Sequence, residues 1–100
     1  MPPFILELPM EVLADFCRRW KITELSIFGS ALRKDFGPKS DIDLLVVFAA
    51  DAQIGFLEWA QVQRELSGLF GRRVDLVSKR GLKPLIRDQV LASARVLYAA

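Results

Sequence analysis

Gly29-Ser30-Ala31-Leu32-Arg33-Lys34-Asp35-Phe36-Gly37-Pro38-Lys39-Ser40-Asp41-Ile42-Asp43 joins a small-residue turn to a pair of carboxylates, and its reading decides the fold. Leu25-Ser26-Ile27-Phe28, just before it, has the composition of a strand. So does Asp41 to Phe48, which is rich in Val, Leu and Phe. Side chains two apart on a strand share a face. Asp41 and Asp43 then stand side by side, while Ile42 and Leu44 turn toward the core. Carboxylates this close repel unless a proton or a divalent cation intervenes. Mg²⁺ suits the position, because it takes one or two protein carboxylates together with substrate phosphates and water. Gly29 lets the chain turn sharply, and Ser30 can open a helix whose free N–H groups suit a phosphate. Taken singly, Gly-Ser is also an ordinary strand-to-helix turn, and Asp-Ile-Asp a solvated strand start.

Outward from this stretch the pattern alternates between helix and strand. Val12, Leu13, Phe16, Cys17 and Trp20 recur at helical spacing and predict a helix from Pro9 to about Trp20, with Glu11 early and Arg18 and Arg19 late. A strand is expected over Glu24 to Phe28, a short helix from Ser30 to about Lys34, and a loop over Phe36 to Lys39. After a turn at Ala49 to Gln53, Trp59, Val62, Leu66, Leu69 and Phe70 form one stripe of a helix over about Ile54 to Phe70, closed by Gly71. Arg73 to Val77 reads as a strand with Val74 and Leu76 on one face and Asp75 on the other. Asp75 is then placed to reach Asp41 and Asp43 from a neighbouring strand, or to pair at the surface with Arg72 or Arg73. Ser78 to Leu82 reads as a loop, and a helix is expected from Pro84 to about Ala94. Val96-Leu97-Tyr98 reads equally as a final strand or as the last turn of that helix. Met1 to Leu8 is expected to lie as an extended arm. The fold class is α/β (α+β), a small mixed sheet with helices packed on it, in one domain over residues 1–100.

Composition removes several function classes. One hundred residues, 52% of them apolar, suit a single core. No apolar run approaches the ~20 residues of a membrane span, and Met1-Pro2-Pro3 lacks the basic start of a signal peptide. The lone Cys17 excludes an internal disulfide and fits a reducing cytoplasm. With no histidine, imidazole acid–base catalysis and His-ligated zinc are excluded. A net charge of +2 with scattered cations is too little for a duplex-binding face.

Gly-Ser followed ten residues later by Asp-x-Asp at the head of an apolar strand resembles the signature of the DNA polymerase beta-like nucleotidyltransferase superfamily. Gly29-Ser30-x-x-Arg33, Ser40-Asp41-Ile42-Asp43-Leu44-Leu45-Val46-Val47 and Arg73-Val74-Asp75-Leu76-Val77 look most like its minimal members, many of them antitoxins of HEPN-domain toxins. The resemblance implies that Asp41, Asp43 and Asp75 are catalytic and hold Mg²⁺, two ions in all. It implies that Gly29, Ser30, Arg33, Lys39 and Ser40 bind the nucleotide, with ATP as donor. The expected reaction adds AMP to a hydroxyl, a tyrosine in the resembling antitoxins, on a HEPN toxin. Larger superfamily members carry helical domains for the acceptor, and nothing after Tyr98 plays that part, so the acceptor is expected to arrive on another protein. Two other functions fit the same residues: an antitoxin that neutralises by binding alone, and a nucleotidyltransferase for a small molecule or an RNA end that borrows a helper subunit.

Overall fold

The computed structural model describes residues 9–29 and 41–100. Leu13, Phe16 and Cys17 are all buried, and this stripe holds helix α1 (Met10–Arg19) against the sheet. The Pro9 carbonyl accepts the N–H groups of Val12 (3.1 Å) and Leu13 (3.2 Å), while Glu11 at the start and Arg18 and Arg19 at the end oppose the helix dipole. Lys21 then turns the chain with φ 56°, a left-handed conformation more often given to glycine. Strand β1 (Ile22–Phe28) follows at once, two residues earlier than the sequence suggests. Ile22 and Thr23 are both β-branched and extend the strand to the end of the turn.

Strand β2 (Ile42–Phe48) leads into helix α2 (Phe56–Phe70), two residues shorter at its start than expected. The Glu58 carboxylate accepts the Gly55 N–H at 2.8 Å and fixes that start, and Gly71 closes the helix in the left-handed conformation. Strand β3 (Val74–Ser78), a single 3-10 turn over Lys79–Gly81, helix α3 (Pro84–Ser93) and strand β4 (Arg95–Ala99) complete the order. The segment around Val96 is therefore a strand, paired antiparallel to β1. The expected arm over Met1 to Leu8, the short helix from Ser30 and the loop over Phe36 to Lys39 lie outside the described residues.

The strands form one mixed sheet in the order β3-β2-β1-β4. β2 and β3 run parallel, and the other neighbours are antiparallel. Ile42, Leu44 and Val46 of β2, Val74 and Leu76 of β3, and Leu25 and Ile27 of β1 share one buried cluster with Leu13, Phe16 and Cys17 of α1 and Val62 and Leu66 of α2. Trp59 packs at its edge against Phe48, ring centroids 6.1 Å apart. α1 and α2 therefore cover one face of the sheet, and the odd-numbered residues of β2 belong to the other.

Cys17 shows how dry that core is. Burial pushes its thiol from the ordinary 9.0 up to about 12, against a small opposing pull from Arg18. The folded chain keeps this proton longer than the unfolded chain, so stability tied to the thiol is intact below pH 9.0 and is lost as pH rises toward about 12. We expect no reaction with a thiol reagent at pH 8 under native conditions and full reaction in denaturant. Rapid native labelling would show that this part of the core opens.

Candidate active site

Parallel pairing of β2 with β3 sets Ile42 beside Val74, Asp43 beside Asp75 and Leu44 beside Leu76. The flanking pairs are buried in the core, so the two aspartates face the opposite side of the sheet, across a strand spacing of ~4.8 Å. Asp41, one residue before β2 and half-buried, is the next position along that side by the two-residue period. Asp43 is half-buried and Asp75 exposed. No ion pair among the described residues involves Asp75, so the proximity of Arg72 and Arg73 in sequence has not become a surface pair.

β1 brings the turn to the same place. Its last residue, Phe28, pairs with Asp43, and Gly29 follows with φ 74°. Any Cβ on Gly29 would fall onto Oδ2 of Asp43 and lie 3.2 Å from its Cγ. Glycine is therefore required twice here, once for the backbone conformation and once for the close approach to the carboxylate. Ser30, Arg33, Lys39 and Ser40 lie outside the described residues. One neighbour of the site has no role in the sequence reading. Phe28 is half-buried and directly opposite Asp43, a relation that only the register reveals. At the other end of these strands, beside Val46 and Val47, Lys79 donates to Glu24 at 2.6 Å, tying the turn after β3 to β1 across β2.

The donor set is hard oxygen throughout, which suits Mg²⁺ and not a soft metal. Among the described residues no group of three acidic or thiol side chains is gathered closely enough to hold an ion by itself. Asp41, Asp43 and Asp75, expected to hold metal together, therefore do not form such a three-carboxylate group. Asp43 and Asp75, adjacent on two strands, can supply a pair of carboxylates, with Asp41 alongside.

A family model described as nucleotidyltransferase domain matches residues 9–97. The protein adenylyltransferase MntA of Thermococcus cleftensis is 37% identical over 73 residues, 73% of this chain and 72% of that protein. A solved structure assigned as a minimal nucleotidyltransferase superposes with a TM-score of 0.73 at 38% identity, covering 95% of each chain. A chain from the complex of tri-AMPylated Shewanella oneidensis HEPN toxin with MNT antitoxin shares the fold at 23% identity, with a TM-score of 0.67 over 96% of this chain and 74% of that one. Sequence, sheet topology and family model agree across α1 to β4, and the chain belongs to the nucleotidyltransferase family, among its minimal members.

Proposed function

We propose that this chain transfers AMP from ATP to a tyrosine hydroxyl of a HEPN-domain toxin and thereby acts as its antitoxin in the cytoplasm. The observation that carries the reading is the cross-strand pair Asp43–Asp75 on the face left uncovered by α1 and α2, with Gly29 packed against Asp43. The relatives support the direction: the Thermococcus cleftensis protein is an adenylyltransferase, and the Shewanella oneidensis toxin carries AMP in complex with its antitoxin.

On this reading Asp41 and Asp43 hold the Mg²⁺ that accompanies the triphosphate, and Asp75 completes a second Mg²⁺ position on the acceptor side. When bound, the metal offsets charge on the attacking and leaving oxygens of an in-line displacement. Gly29 and Ser30 would offer their backbone N–H groups to the triphosphate tail, and Ser30, Arg33, Lys39 and Ser40 would add a hydroxyl or a cation. Asp75, exposed and on the outer side of the pair, accepts or orients the acceptor hydroxyl proton. The acceptor oxygen bonds to the α-phosphorus, and pyrophosphate leaves with the electron pair of the broken bond.

Incubation with ATP labelled at the α-phosphate, Mg²⁺ and any HEPN-domain protein encoded beside this chain tests the proposal. Label on the toxin, an AMP mass shift on a tyrosine peptide and loss of its ribonuclease activity are the expected results. Neutralisation without label would favour the antitoxin that acts by binding alone. AMP on an RNA end or a small molecule would favour the enzyme with a helper subunit.

A further inference from the structure

Helix α3 buries none of its residues and touches the other elements only glancingly. Leu85 is 93% exposed and Ile86 46%. Arg80, Lys83, Arg87 and Arg95 are all exposed, and none has an ion-pair partner among the described residues. Apolar side chains in water, with Lys83 and Arg87 within two residues of them in sequence and Arg80 and Arg95 beyond either end of the helix, make a surface suited to an apolar pocket rimmed by carboxylates.

The helix also leads to the active site. β4 begins at Arg95 paired with Ile27, and the next residue of β1, Phe28, pairs with Asp43. The C-terminal end of α3, about 15 Å from its start, thus delivers the chain to the end of the sheet that carries the carboxylates. We propose that α3 and its flanking cations dock the acceptor protein, an acidic face with an apolar pocket for Leu85 and Ile86. Docking there would hold the acceptor at the carboxylate end of the sheet, with β4 at one edge and Asp75 on β3 at the other, about three strand spacings (~14 Å) away. This rests on the adenylyl-transfer reading above and specifies how the toxin is held.

Nucleic acid fits less well, because a phosphate backbone would neutralise the cations and leave Leu85 and Ile86 in water. A membrane surface also fits less well. Leu85, Ile86, Val90 and Leu91 are spread around the helix among Arg87, Asp88 and Gln89, whereas an interfacial helix separates its apolar and polar faces.

The test compares the full chain with Leu85→Glu and Arg87→Glu, using a HEPN-domain protein encoded in the same genome as the probe. Leu85→Glu is expected to raise the toxin Kd and KM at least about ten-fold, leaving kcat and the KM for ATP unchanged. The melting temperature should not move, since the side chain is almost wholly exposed. Arg87→Glu should weaken binding at low salt and much less at high salt. Toxin binding and modification by Leu85→Glu at wild-type levels would overturn the docking surface while leaving adenylyl transfer standing. Toxin that binds through α3 without ever receiving label would do the reverse. Failure of the wild-type chain to bind the toxin, or binding to an RNA oligomer or anionic vesicles that Leu85→Glu abolishes, would also overturn the proposal.

Discussion

Asp43→Asn is expected to reduce nucleotidyl transfer by on the order of 10³-fold, about 4 kcal/mol of transition-state stabilisation. Asp43 is the carboxylate that both Gly29 and Asp75 adjoin, so no other side chain among the described residues can take its place. Asp75→Asn should cost activity on a similar scale, and its effect on the fold separates function from structure. Two like charges directly opposite on a sheet destabilise it by roughly 0.2–1 kcal/mol. Asp75 is exposed and has no ion pair among the described residues, so the substitution removes repulsion and little else. The melting temperature of Asp75→Asn should therefore rise by a few degrees while activity disappears. Mg²⁺ should stabilise the wild-type chain and stabilise Asp75→Asn much less, because an ion that binds only the native state raises its stability by mass action. Calorimetry with and without Mg²⁺ reads both effects. A fall in melting temperature for Asp75→Asn, with no change in the response to Mg²⁺, would make this residue structural.

Much of this arrangement was legible in the residues. The two-residue period puts Asp75 opposite Val74 and Leu76 whatever the topology, and the helix stripes of α1 and α2 follow from spacing alone. The side of the sheet shared by Asp43 and Asp75 was not legible, because it depends on how β2 and β3 pair, and pairing is a long-range property. The start of β1 was misplaced because Lys21, in a conformation usually signalled by glycine, hides the turn. Val96 became a strand residue because β1 had a free edge for β4, information that no local propensity carries. The exposure of α3 is the largest departure from expectation in physical terms. Leu85, Ile86, Val90 and Leu91 have the composition of a core helix, yet none of them is buried, and α1 and α2 already fill the face that carries the main core cluster.

Gly29→Ala carries the second large expected effect, and its cause is purely steric. At φ 74° an alanine occupies a left-handed conformation that costs an L-residue roughly 1–2 kcal/mol. Its methyl group would also overlap Oδ2 of Asp43, and the nearby Cγ at 3.2 Å leaves no slack. Either β1 parts from β2 at this corner or the Asp43 carboxylate swings away. Both outcomes displace the Asp43 carboxylate, on which transfer is proposed to depend, and a displacement near 1 Å can cost about 10²-fold in rate. We expect Gly29→Ala to lower the melting temperature by on the order of 10 °C and to lose activity beyond what the destabilisation explains, when assayed well below that temperature. Gly68→Ala is the matched control. Gly68 lies in α2 and is exposed, and a methyl group there would meet nothing within 4 Å beyond the backbone of its own helix. Alanine there should stabilise the helix by roughly 0.5–1 kcal/mol and leave activity untouched. If Gly29→Ala behaved like Gly68→Ala, the close contact between the turn and Asp43 would not exist in solution. The first β-strand would then have no part in shaping the catalytic corner.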